Sequence, residues 1–164
     1  MSQHIISLIG NPNCGKTTVF NALTGSRQRV GNWPGVTVDK KTGNFSYDGH
    51  DIEVVDLPGI YSVTPTSVSG EDEVVARNYL LSGEAQVVVN IIDASNLERN
   101  LYLTSQLIEM GVPVLVVVNM LDIAKQHKIK LDLKALENAL GCPVIGLVAN
   151  RNKGIDCLLY TSPS

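Results

Sequence analysis

No stretch of this chain is apolar for the roughly 20 residues needed to span a bilayer. The longest candidate, Val112 to Val118, contains Pro113 and reads as a core strand. Aromatic residues are scarce, at 5% of the chain with a single Trp. Positive charge is in the minority: 13 Lys and Arg stand against 16 Asp and Glu, for a net charge of −3. That balance argues against a nucleic-acid partner, which needs a basic face. Cysteine is sparse too. Cys14, Cys142 and Cys157 form no C-x-x-C pair, which favours a reducing compartment and excludes a disulfide framework. Met1-Ser2-Gln3-His4 carries no basic n-region followed by a long apolar run, so no signal peptide is predicted. There are no repeats and no low-complexity tract. What the chain does have is apolar residues, 44% of 164, enough for one domain with a real core.

One stretch organises the rest. Gly10-Asn11-Pro12-Asn13-Cys14-Gly15-Lys16-Thr17 fits the phosphate-binding pattern G-x-x-x-x-G-K-[ST] at every fixed position. The apolar run Ile5-Ile6-Ser7-Leu8-Ile9 predicts a buried strand before it, and Thr18 to Leu23 a helix after it, stopped by Gly25. In that setting the amides from Gly10 through Thr18 wrap an anion at a helix N-terminus. Lys16 neutralises the β- and γ-phosphates, and the Thr17 hydroxyl holds Mg²⁺.

The remaining elements alternate, which predicts an α/β fold. Tyr47-Asp48-Gly49-His50 marks a β-hairpin between an alternating strand within Thr37–Tyr47 and Ile52–Val55. Val87 to Ile92 and Val114 to Val118 are apolar runs suited to strands covered on both faces. Leu101, Leu103, Leu107 and Ile108 give the region from Leu97 to Met110 a helical period, closed by Gly111. Asp132 caps a helix from Leu133 to Leu140 with Gly141 as its stop, and Val144 to Val148 is the last strand.

Three loops follow predicted strands and complete a nucleotide site. Asp56-Leu57-Pro58-Gly59 puts a carboxylate where it reaches Mg²⁺ through water, and a glycine amide where a γ-phosphate would lie. Asn119-Met120-Leu121-Asp122 offers Asp122 as a bidentate acceptor for guanine N1–H and 2-amino, with Asn119 bonding the base edge and bracing the phosphate loop. Adenine lacks those two donors, so the pair selects GTP. Val148-Ala149-Asn150 presents a backbone amide, that of Ala149, to guanine O6.

In this order the loops resemble those of the translation-factor-like, small-GTPase (TRAFAC) class, over nearly the whole chain to about Asp156. Arg27-Gln28-Arg29-Val30-Gly31-Asn32-Trp33-Pro34-Gly35-Val36-Thr37-Val38 resembles the first switch of the bacterial ferrous iron transport protein B (FeoB) family. Gly10-Asn11-Pro12-Asn13 and Asp56-Leu57-Pro58-Gly59-Ile60-Tyr61-Ser62 match that family too. The resemblance implies a three-layer P-loop NTPase fold: a mostly parallel six-stranded sheet with one antiparallel strand and helices on both faces. It implies a cytosolic G domain over residues 1–156 that gates or regulates Fe²⁺ uptake at the cytoplasmic face of the inner membrane. The helical spacer and membrane domain of the full-length protein lie beyond this chain, which alone is expected to be soluble. Those downstream domains and small accessory iron-transport proteins are the implied partners. In the implied site, Gly35, Val36, Thr37 and Val38 close over GTP or GDP, with Thr37 joining Thr17 and Asp56 around Mg²⁺.

Ile60 stands where many small GTPases carry the Gln that orients the attacking water. Three readings stay open. The resemblance suggests a K⁺ ion held by Asn13 and the Gly31 and Trp33 carbonyls; Lys16, Thr37, Asn13 and Gly59 are then the catalytic set, and turnover is slow and potassium-stimulated. Arg27 or Arg29 as an internal finger is the rival. A slow nucleotide sensor is the third. A ribosome-assembly GTPase is a further alternative, against which the acidic balance weighs. Trp33, between Asn32 and Pro34 in a glycine-rich loop, is expected to be exposed and mobile. Cys14, His50 and His127 form no metal-ligand spacing, and Cys14 contributes mainly backbone. Cys157 to Ser164 breaks the helical pattern begun at Ile155 and resembles a translated sequencing adapter, so residues 157–164 are read as truncation followed by a non-native tail.

Overall fold

The computed structural model describes residues 3–47, 49–63, 70–119, 126 and 132–146. Its elements run β1 (Gln3–Gly10), α1 (Lys16–Thr24), β2 (Gln28–Asn32), β3 (Asp39–Tyr47), β4 (His50–Asp56), α2 (Glu71–Ser82), β5 (Val87–Asp93), α3 (Leu97–Glu109), β6 (Val114–Asn119), α4 (Leu133–Leu140) and β7 (Val144–Gly146). A short 3₁₀ turn, Ala94–Asn96, joins β5 to α3.

One sheet holds all the strands in the order β2-β3-β4-β1-β5-β6-β7. It has seven strands rather than the expected six. The extra strand is β2, whose residues are all exposed. No alternation of apolar and polar side chains marks it, and only its ladder with β3, from Gln28↔Gly43 to Asn32↔Asp39, makes it a strand. β3 runs antiparallel to both β2 and β4, and every other pairing is parallel. The hairpin read from Asp48-Gly49 is the β3–β4 pair, closed at Tyr47↔His50.

The helices lie on both faces because β1, β4, β5 and β6 present apolar residues in both directions. Ile6, Leu8, Val89, Ile91 and Val117 meet Val19, Phe20 and Leu23 of α1. Ile9, Val55 and Val88 meet Val75, Ala76, Tyr79 and Leu80 of α2, together with Leu103 and Leu107 of α3. Ile92, Val116 and Val118 are covered by α3 and α4 through Leu97, Leu101, Leu133, Leu136 and Leu140. α2 carries no broad apolar stripe that would mark it in the sequence. Its start is set by Glu73, whose carboxylate accepts the Gly70 N–H, and by the acidic first turn Glu71, Asp72, Glu73. α4 begins at Asp132, whose carboxylate accepts the Ala135 N–H at 3.1 Å, and ends at Gly141. Among the described residues no helix is long and apolar enough to cross a membrane.

Winding reverses at β1, which has β4 on one side and β5 on the other. The carboxyl ends of β1, β4, β5 and β6 therefore gather Gly10, Asp56, Asp93 and Asn119 at one end of the sheet. That is where open α/β sheets bind ligands.

Candidate functional site

The loop after β1 is built around two positions that tolerate no ordinary side chain. At Gly10 a Cβ would lie 2.5 Å from the Ile91 carbonyl oxygen and 2.6 Å from Cys14 Sγ. At Gly15 the backbone is left-handed, with φ at 90°. Asn13 is left-handed as well, at φ 67°. The loop closes through Cys14 N–H donating to Asn11 O at 3.3 Å. α1 then starts with no side-chain cap and no acid in its first turn. Its leading amides are left for an anion to satisfy.

Lys16 and Asp56, from α1 and the end of β4, form an ion pair with side chains only 11% and 8% exposed. Neither charge is left alone in a low-dielectric setting. The loop carrying Asp56 is tied to β1 by Leu57 N–H to Leu8 O and Ile60 N–H to Gly10 O, both at 3.0 Å. Gly59 packs on the phosphate loop so closely that a Cβ there would meet Pro12 Cα at 3.1 Å. The space between is an open recess of about 590 Å³ lined by Asn11, Pro12, Asn13, Gly15, Lys16, Thr17, Gly59 and Asp72. Asp72, on the first turn of α2, carries no motif; the acidic run Glu71-Asp72-Glu73 directly after Gly70, the helix's N-cap, is the signal the sequence offers.

Asn119, at the end of β6 and 4% exposed, donates from Nδ2 to Cys14 O at 3.2 Å, bracing the phosphate loop from across β5. Burial pushes the Cys14 thiol up to about 11, the Lys16 amide and charge opposing it only in part. The group stays a neutral thiol beside the loop. Thr18, two positions past Lys16, is exposed, while Leu57 is fully buried.

The first-switch residues stand elsewhere. Thr37 and Gly35 are exposed, Val36 and Val38 pack at the edge of the α2–α3 core, and none of them lines the recess. Gly31 is engaged in the β2–β3 ladder opposite Lys40. Trp33 corrects the expectation of exposure: it is 7% exposed, edge-on to Tyr79 with centroids 5.5 Å apart, and capped by the Lys40 ammonium 4.7 Å from its ring centre. The indole joins the apolar cluster formed with α2 and α3, beside Val36 and Val38, despite its glycine- and proline-rich neighbours. Ile60 is 2% exposed in the same core and does not line the recess. Met120, Leu121 and Asp122, Val148, Ala149 and Asn150, and the tail from Cys157 lie outside the described residues.

A family model described as ferrous iron transport protein B matches residues 4–161. The chain belongs to this family. It is 57% identical over 159 residues to the Fe(2+) transporter FeoB of Escherichia coli (strain K12), a match covering 96% of this chain and 21% of that protein. The chain thus spans about a fifth of the length of the curated relatives it matches. Among solved structures, the cytosolic domain of L. pneumophila FeoB superposes with a TM-score of 0.91 at 53% identity, over 95% of this chain and 67% of that one. A mutant of S. thermophilus NFeoB bound to GDP gives 0.89 at 48% identity, over 96% of this chain and 60% of that one. With the seven-stranded mixed sheet, these G-domain neighbours give the P-loop NTPase fold.

Proposed function

We propose that residues 1–156 form the GTP-binding and hydrolysing domain of a ferrous iron transporter, and that its nucleotide state gates or regulates Fe²⁺ uptake. The observation that carries the nucleotide reading is the recess itself. It joins an uncapped helix start, a buried lysine and a close-packed glycine within one cluster of loops. The relatives named for GDP and for Fe²⁺ transport supply the rest. Loop amides and Lys16 hold the phosphates, Gly59 faces the γ-phosphate, and Asn119 and Asp122 read the base, with the Val148–Asn150 loop at guanine O6.

Thr17 and Asp56 supply hard oxygen donors of the kind Mg²⁺ takes. Lys16 is already balanced by Asp56, and Asp72 adds an acid to the rim. A triphosphate therefore enters with more negative charge than the side chains offset, and a divalent ion completes the balance. Mg²⁺, when bound, neutralises charge developing on the phosphate oxygens. Thr37 joins this set once the Gly35–Val38 segment closes. Asn13, with the Gly31 and Trp33 carbonyls, takes K⁺ and gives a slow, potassium-stimulated turnover. A second reading, a switch with little useful turnover, is favoured by the burial of Ile60, which leaves no side chain at that position to orient water. In the longer protein this domain sits on the cytoplasmic face of the inner membrane. A helical spacer and a membrane domain follow it, with small accessory iron-transport proteins as further partners.

The base assignment has a direct test. Asp122→Asn turns one acceptor oxygen into a donor that faces the guanine 2-amino group. Xanthine carries an oxygen there instead. Charge-assisted bonds contribute about 1.5–3 kcal/mol each, so the variant should lose at least about tenfold in GTP affinity and gain in XTP affinity. Loss of both nucleotides alike would make Asp122 structural and remove the Asn119–Asp122 loop from the site.

A further inference from the structure

We infer that Gln106 of α3 is a positioning residue for the γ-phosphate contact, acting through the backbone just beyond Gly59. The side chain is 9% exposed and 43 residues away in sequence from the segment it holds. Its Oε1 accepts the Val63 N–H at 2.8 Å, and its Nε2 donates to Ser62 Oγ at 3.0 Å. Two turns earlier on the same helix face, the Arg99 guanidinium lies 4.4 Å from the centre of the Tyr61 ring. Tyr61, Ser62 and Val63 are thus gripped in succession by one helix.

The other end of the segment is held by the phosphate loop. Ile60 N–H donates to Gly10 O, and the Ile60 side chain is buried. Asn11 Nδ2, in turn, contacts the Arg99 carbonyl at 3.4 Å, so α3 also touches the phosphate loop directly. Gly59 immediately precedes the Ile60 anchor, on the wall of the recess, and Gln106 holds the chain on the far side of that anchor. A carboxamide suits the outer anchor because it offers a donor and an acceptor side by side, as a neighbouring strand would. Val63 is 3% exposed, so its amide has no water to turn to when Gln106 is removed. The Tyr61–Val63 backbone then loosens, and the Gly59 amide loses its fixed place.

The inference rests on the nucleotide reading above, in which the γ-phosphate meets Gly59 and GDP does not reach it. Calorimetric titration of GDP and of a non-hydrolysable GTP analogue, both with Mg²⁺, tests it on the wild type, Gln106→Met and Gln106→Glu. Gln106→Met keeps the length and apolar stem and removes both polar ends. It should bind the analogue about tenfold more weakly while GDP affinity stays within about twofold. Gln106→Glu keeps an acceptor for the Val63 N–H and should recover part of the loss. An unchanged ratio of the two affinities in Gln106→Met overturns the inference. So does an equal loss for both nucleotides, which is what a plain core residue would give. Failure of the wild type to bind either nucleotide overturns the underlying reading, whatever the variants do.

Discussion

Cys14 shows how one side chain takes its chemistry from its surroundings. It stands inside the phosphate loop, 1% exposed, with the Asn119 carboxamide on its carbonyl. Burial raises its pKa from 9.0 to about 11. The consequence for stability has a definite sign. Below pH 9 both folded and unfolded chains keep the proton, and the full stability is present. Between pH 9 and 11 the unfolded chain sheds its proton first, so stability falls as pH rises through that window. A shift of this size corresponds to a loss on the order of 2 kcal/mol. Chemical unfolding at pH 8.5 and 11 should show wild type losing more than Cys14→Ala by about that amount. Parallel losses in the two proteins would mean that the thiolate is tolerated inside the fold.

At the scale of the element, β2 is the strand with the least to hold it. It lies at the sheet edge with no buried residue, and among the described residues β3 is its sole strand partner. It nevertheless carries Gly31 and leads directly into Trp33, two of the three groups proposed to hold K⁺. Both stand away from the recess that Asn13 lines. A move of this segment toward Asn13 would strain the β2–β3 ladder and the packing of Trp33 on Tyr79 and Lys40. Trp33 is the only tryptophan, so its emission reports this step. A GTP analogue with Mg²⁺ should shift the emission to the red in K⁺ and leave it unchanged in Na⁺ at equal ionic strength. GTP turnover should follow the same cation preference, and Asn13→Ala should abolish both effects. Equal turnover in the two salts, with a collapse in Arg29→Ala, would instead assign the charge stabilisation to an internal arginine.

Across the whole molecule, the site is not an appendage of the sheet. It is the sheet's own end. The loops that line or brace it leave from β1, β4 and β6, and the strands β4-β1-β5-β6 are the buried centre of the fold. A ligand bound there should stabilise the global fold by mass action, by about 4 kcal/mol at a thousand times its dissociation constant. Native-state hydrogen exchange should therefore show GDP slowing the amides of all four central strands together. β2, which opens locally at the edge, should be little changed. Protection confined to the Gly10–Thr18 loop would show that binding and global folding are uncoupled.

Elements whose environment is local or uniform can be read from the chain alone. Val87–Ile92 and Val114–Val118 are legible because a strand covered on both faces must be apolar throughout. α4 is legible because Asp132 and Gly141 satisfy its ends within a few residues. The phosphate loop is legible because its glycines answer a constraint of backbone space, such as the 2.5 Å approach to Ile91 O, that no other residue meets. The other features depend on contacts between distant segments. α2 buries only Val75, Ala76, Tyr79 and Leu80, a stripe too narrow to stand out among its charges. β2 has no apolar face at all, and its strand state comes from a ladder with a chain segment that follows it. Trp33 was misjudged because its neighbours are loop formers, whereas its burial depends on Tyr79, which lies on α2. Gln106 carries no motif, because a carboxamide on a helix is unremarkable until the fold sets it against Ser62 and Val63. Backbone limits and uniform burial are written residue by residue; which distant surfaces meet depends on the packing of the whole chain.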